Sequence, residues 1–82
     1  MKVQAEISLY PLRHNDLTKP IQQFVESLKR DDLEIKTGSM SSVILGEESI
    51  VFQSLQKAFE QAAKKHEVVL IAKISNTCPE IE

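Results

Sequence analysis

The stretch LEIKTGSMSSVILG, residues 33–46, decides the architecture of this chain. Leu33, Ile35 and Thr37 alternate with Glu34, Lys36 and Gly38, the period of a strand with one apolar side. Ser39 to Ser42 supply the small polar residues of a hairpin connection. Val43 to Leu45 are apolar, partly β-branched, and stop at Gly46. So short a run suits a buried strand better than a helix of about one turn. Two strands therefore stand together in the middle of the sequence.

Outward from that hairpin the period becomes helical on both sides. Before it, Leu17, Ile21, Phe24, Val25 and Leu28 make one stripe, with Gln22, Gln23, Glu26 and Lys29 on the wet side. Thr18 is the expected N-cap, which puts Pro20 in the first turn, where a missing N–H is harmless. The charged turn Lys29 to Asp32 leads from this helix into the hairpin. After the hairpin, Val51, Leu55, Ala58, Phe59 and Ala62 repeat the stripe over about Glu48 to Lys65. Glu47 and Glu48 favour the positive start of that helix, and Lys64 and Lys65 its negative end.

The outermost segments are again extended. Val3, Ala5, Ile7 and Leu9 alternate with Lys2, Gln4, Glu6, Ser8 and Tyr10. Pro11 is expected to end this strand, and Arg13, His14, Asn15 and Asp16 form a polar turn. Val68 to Ser75 is a β-branched closing strand, and Asn76 to Glu82 reads as a tail. The order βαββαβ packs most economically as a ferredoxin-like α+β sandwich. That is a four-stranded antiparallel sheet of spatial order 4-1-3-2 with both helices on one face, in a single domain over residues 1–82. Tyr10, Thr37 and Ser41 then share one end of the sheet, and Ser75 and Cys78 lie near Lys2 and Gln4 at the other.

Composition narrows the function classes. The chain has 82 residues, a formal charge of −2 and a pI near 5.7, which leaves room for one domain and gives no basic footprint for nucleic acid or anionic membrane. Its longest apolar run, Val68 to Ala72, falls far short of the roughly 20 residues that span a bilayer, and no secretory leader is evident, so a cytoplasmic location is expected. Cys78 is the single cysteine, which excludes an intrachain disulfide and leaves an unreactive thiol as its simplest reading. His14 and His66 lack a partner at helical spacing, and with two glycines there is no phosphate-cradling loop; neither a metal nor a cofactor is expected. No Ser-His-Asp or paired-carboxylate arrangement stands out, so no catalytic residue is nominated and the expectation is a protein that is not an enzyme.

On the side of the sheet away from the helices the pattern places Gln4, Glu6, Ser8 and Tyr10 beside Val69, Ile71, Lys73 and Ser75. The outward Val69 and Ile71 call for cover, which packing on another subunit is expected to supply. A modest patch on a monomer is the plainer alternative. The hydroxyls of Thr37, Ser39, Ser41 and Ser42 gather at the hairpin, near Ser8 and Tyr10. Groups that both donate and accept suit a neutral heterocycle with ring nitrogens and an amino substituent, although turn serines also serve local backbone bonds. Tyr10 can cover a flat ring or pack half-buried. Glu6, midway along a central strand, is a candidate to pair with an amino group or a positive ring, or else is solvated or paired with Lys73 across an interface.

Three segments taken together resemble the YkoF-type thiamine and hydroxymethylpyrimidine-binding family: Ser8-Leu9-Tyr10-Pro11-Leu12, Thr37 through Gly46, and Ile74-Ser75-Asn76-Thr77-Cys78-Pro79. They come in the family's order and spacing, with both helices between them. The resemblance implies a ferredoxin-like domain that binds the pyrimidine part of thiamine without transforming it, in a single-domain chain that assembles into dimers or tetramers. Ser8 and Tyr10 match the family's first-strand motif, Thr37, Ser41 and Ser42 its hairpin motif, and Ser75, Cys78 and Pro79 its last-strand ending. Gly38 and Ser39 stand where the family form has an Asp and a His. The ligand-binding set expected is Glu6, Ser8, Tyr10, Thr37, Ser39, Ser41 and Ser42, with thiamine or hydroxymethylpyrimidine as ligand.

The main rival is a regulatory or protein-interaction module of the same fold with a different small-molecule effector. An acylphosphatase-like enzyme would use an Arg and an Asn after the first strand, where Arg13 and Asn15 stand, but its glycine-rich anion loop is missing. An RNA-binding module would need aromatics on a basic sheet, which Glu6 and the acidic balance oppose.

Overall fold

A computed structural model describes residues 1–13, 16, 18–30 and 32–77. It contains β1 (Lys2–Pro11), α1 (Thr18–Leu28), β2 (Glu34–Thr37), β3 (Ser42–Glu47), α2 (Glu48–Lys65) and β4 (Val68–Ser75). All pairings are antiparallel and the sheet order is β2-β3-β1-β4, which is the expected 4-1-3-2 arrangement of a ferredoxin-like α+β fold. The expected turn residues His14, Asn15 and Asp31, the first stripe residue Leu17, and the tail from Cys78 onward lie outside the described residues. No helix among the described residues is long and apolar enough to cross a membrane.

Alternation along β1 sends Val3, Ala5, Ile7 and Leu9 into the core, each at most 6% exposed, against Ile44 of β3 and the helices. Phe24 and Leu28 come from α1, Val51, Leu55 and Ala58 from α2, and Leu33 from the turn before β2. These apolar faces, removed from water together, supply the main driving force for the fold.

The strands differ in length, and this shapes the site. β1 pairs with β3 from Lys2↔Glu47 to Ile7↔Ser42, but with β4 from Gln4↔Ser75 to Pro11↔Val68. From Ser8 to Pro11, β1 therefore has a neighbour on one side only. Pro11 does not end the strand, because in this register its missing N–H falls on the side that β3 does not reach. The ladder continues past it, with the Leu12 N–H donating to the Glu67 carbonyl at 2.8 Å.

Three local expectations change. The Asp16 carboxylate accepts the Thr18 N–H at 3.0 Å, so the cap of α1 is Asp16 and not Thr18. Within α1 the buried face is Pro20, Phe24 and Leu28, while Ile21 is 37% exposed and Val25 half-buried. On α2, Ser54 joins Val51, Leu55 and Ala58 in the buried set, whereas Phe59 stays largely exposed. Ser54 is tolerated because Arg30 Nη1 lies 3.3 Å from its hydroxyl. At the start of α2, Glu47 makes no side-chain cap. Its carboxylate instead takes a hydrogen bond at 2.9 Å from the Met1 ammonium, which holds that group above its ordinary pKa of 8.0.

Candidate functional site

Where β3 stops short of β1, the hairpin and α1 enclose a pocket of about 300 Å³. Its floor is the unpaired end of β1, from Ile7 to Pro11, one wall is Ile21, Phe24 and Val25 of α1, and the other is the hairpin from Thr37 to Ser42. The hairpin is tight, with the Gly38 N–H donating to the Ser41 carbonyl at 2.8 Å across a loop of Ser39 and Met40. Neither loop residue has a positive φ. A two-residue loop of that unprimed kind matches the strand twist less well than the primed turns do. Among the described residues the lining is apolar with a few hydroxyls and no charged side chain, and its volume is at the small end of ligand pockets.

The expected hydroxyl cluster is present, but the sheet divides it between two faces. Thr37 pairs with Ser42 and Ser42 with Ile7, so both hydroxyl residues lie on the helix side with Ile7 and Leu9. Ser42 is 6% exposed. Ser8, Tyr10 and Ser41 lie on the open face and reach the pocket around the end of the sheet. Ser39 is exposed in the hairpin loop on the rim. Ser8 Oγ donates to the Met40 carbonyl at 3.5 Å, and Ser41 Oγ to Glu6 Oε2 at 3.1 Å. The side chains of Thr37, Ser39, Ser42 and Tyr10 make no hydrogen bond to another described residue. Their hydroxyls remain available to a bound molecule.

Glu6 is not part of the lining. It sits one step along the open face, where it orients the Ser41 hydroxyl. Lys73, suggested by the sequence as its partner across an interface, stands directly opposite Glu6 in the same chain, because β4 pairs with β1 in that register. Of the last-strand motif, Ser75 lies at the far end of β1 opposite Gln4, and Gln4 Nε2 donates to the Thr77 carbonyl at 3.0 Å. Ser75 therefore contributes nothing to this pocket, while Cys78 and Pro79 lie outside the described residues. Arg13 has a φ of 54° and its guanidinium pairs with the exposed Glu67 carboxylate.

Sequence reasoning missed the apolar walls. Ile21, Phe24 and Val25 were assigned to the core stripe of α1, yet all three line the pocket and only Phe24 is buried. The usable signal was the width of that stripe: the Pro20, Phe24 and Leu28 line already covers the sheet, so Ile21 and Val25 are apolar residues in excess of it.

Comparison with known proteins places these features. The chain matches the YKOF-related Family over residues 2–80. It belongs to that family. A search of curated proteins finds no match. Among solved structures, a hypothetical protein of Methanocaldococcus jannascii is 27% identical, with 93% of this chain covering 80% of that one at a TM-score of 0.84. A Streptococcus pneumoniae protein is 23% identical, over 94% of this chain and 88% of that one, at a TM-score of 0.86. A Thermotoga maritima protein proposed for thiamine biosynthesis or salvage is 17% identical, over 100% of this chain and 90% of that one, at a TM-score of 0.85. The last two likenesses show the fold. For this YKOF-related chain, the family and the pocket together support a small-molecule-binding protein.

Proposed function

We propose that this chain binds thiamine or its hydroxymethylpyrimidine moiety without transforming it, as a cytoplasmic homo-oligomer. The observation that carries the reading is the pocket at the end of β1. It is a cleft of about 300 Å³ with apolar walls, no charged side chain among the described lining residues, and the uncommitted hydroxyls of Thr37, Ser39 and Ser42. A neutral aromatic heterocycle with ring nitrogens and an amino group matches that chemistry, since each hydroxyl can donate to a ring nitrogen or accept from an amine. Ile21 and Val25 pack on the flat face of the ring, and Tyr10 covers its exit. Glu6 acts by holding the Ser41 hydroxyl. Family membership and the thiamine assignment proposed for the Thermotoga maritima protein support the same ligand class.

Titration calorimetry with thiamine, hydroxymethylpyrimidine and a thiazole control tests this. Saturable heat is expected from the two pyrimidine compounds and none from the thiazole. The double variant Thr37→Val with Ser42→Ala removes two pocket hydroxyls and should weaken pyrimidine binding roughly tenfold or more at unchanged circular dichroism, as expected for losing two hydrogen bonds. Unchanged affinity in that folded variant sinks the site assignment. Heat from an unrelated effector in place of the pyrimidines favours the interaction-module reading.

A further inference from the structure

We propose that the main chain of Leu9 reads the ligand in this pocket, selecting heterocycles that present a ring-nitrogen acceptor beside an exocyclic amino donor. This deepens the pyrimidine-binding reading and rests on it.

The pairing register fixes where each backbone group of β1 points. In an antiparallel strand successive residues direct their N–H and C=O to opposite neighbours. The Leu12 N–H donates to the Glu67 carbonyl at 2.8 Å, so even-numbered residues of β1 face β4. The Glu48 N–H donates to the Met1 carbonyl at 2.9 Å, so odd-numbered residues face β3. Ile7 is paired with Ser42, where β3 begins. Leu9 is the next odd residue, and the place across from it falls to Met40, a loop residue whose carbonyl instead lies 3.5 Å from Ser8 Oγ. No backbone hydrogen bond joins Leu9 to Met40 among the described residues. The Leu9 N–H and C=O therefore aim side by side into the pocket that Leu9 helps to line.

Strand extension by a peptide is one use of such an edge, but here the edge offers a single pair. Pro11, the next odd residue, has no N–H, and the hairpin closes the other direction. An incoming strand needs pairs repeated along its length, whereas a small planar ligand needs one. In an extended residue the N–H and C=O are parallel neighbours, so their complement is an acceptor adjacent to a donor in one plane. An aminopyrimidine edge has that order: the ring nitrogen accepts from the Leu9 N–H, and the exocyclic amine donates to the Leu9 carbonyl. A ring lacking the amine leaves that carbonyl buried under the ligand without a partner, which is the stronger source of selectivity.

Amide hydrogen exchange and nuclear magnetic resonance on the nitrogen-15-labelled protein test this, with 4-aminopyrimidine, pyrimidine and 4-(dimethylamino)pyrimidine as probes and thiamine as reference. In the ligand-free protein the Leu9 amide should exchange at least tenfold faster than those of Ile7, Ser8 and Tyr10. Saturation with 4-aminopyrimidine should move the Leu9 amide proton downfield and slow its exchange at least tenfold, and the two probes without a donor amine should bind at least tenfold more weakly. A Leu9 amide already protected in the free protein overturns the inference. So does a dimethylamino compound that binds as tightly as the amine. Saturable thiamine binding with the Leu9 amide unmoved also overturns it, while leaving the pyrimidine reading in place. Failure of every pyrimidine to bind overturns both.

Discussion

A Cβ built on Gly46 would lie 2.7 Å from Leu33 Cδ2 and 3.2 Å from the Asp32 carbonyl oxygen. Gly46 is buried in β3 on the helix side, opposite Val3 of β1, and the turn before β2 folds directly over it. Its φ is not in the left-handed region, so the requirement is for space alone. Gly46→Ala should therefore destabilise the domain by about 1–3 kcal/mol, the usual range for overpacking a close-packed site. Urea denaturation checks the magnitude, and coupling to Leu33 checks the mechanism. With Leu33→Ala in the same chain the 2.7 Å clash is removed and only the approach to the Asp32 carbonyl is left, so the double variant should lose less stability than the two single variants summed. Additive losses would mean that the Asp32 carbonyl, and not the Leu33 side chain, forbids the methyl group. The sequence shows Gly46 only as the place where an apolar run stops. What it cannot show is that a turn distant in the pattern lands on that residue. Gly38 is the parallel case at the pocket, where a Cβ would stand 2.9 Å from the Ser41 carbonyl oxygen and press on the hairpin that forms one wall.

At the scale of elements, α1 shows what periodicity can and cannot decide. The helix, its length and its apolar side were legible because Ile21, Phe24, Val25 and Leu28 keep helical spacing. Which edge of that broad stripe faces the core was not, since the choice depends on where β3 ends and leaves a gap. Pro20, Phe24 and Leu28 turn inward, and Ile21 and Val25 are left to line the pocket. The cap was misplaced for a related reason. Thr18 and Asp16 both have capping side chains, and only the three-dimensional turn selects Asp16, whose carboxylate accepts the Thr18 N–H. Asp16→Ala should cost about 1 kcal/mol of stability, the typical value of a lost N-cap, whereas Thr18→Ala should stay within about 0.5 kcal/mol of the parent, as for an exposed residue outside such a contact. Denaturant midpoints for the two variants, measured side by side, decide between them. The reverse order of effects would return the cap to Thr18. The strand boundaries were read more accurately: the closing strand and α2 fall where the β-branched run and the charge bias of the helix ends put them, at Val68–Ser75 and Glu48–Lys65.

At the scale of the molecule, the helices cover one face of the sheet and, among the described residues, nothing covers the other. The uncovered face carries Tyr10, Val69 and Ile71, which are 50%, 44% and 49% exposed, next to the half-buried Val43 and Leu45. Glu6 and Lys73 face each other among them in one chain, so the opposite charges in the middle of this face are neighbours within the chain. A chain of 82 residues buries only a modest share of its surface alone, and a flat sheet face with aliphatic and aromatic residues gains from meeting its own copy. Ile71 is the residue on which to test this, because it lies opposite Ser8 on the open side and its replacement removes nothing from the core. Light scattering of the parent protein should give a multiple of the 9.3 kDa chain mass, and Ile71→Lys should bring the mass down to 9.3 kDa with the circular dichroism spectrum retained. The walls and hydroxyls of the pocket come from one chain, so the monomeric variant should still bind the pyrimidine compounds. A monomeric parent protein refutes assembly through this face. A monomeric variant that folds but no longer binds would mean instead that the neighbouring copy completes the open side of the pocket, around Ser8 and Tyr10.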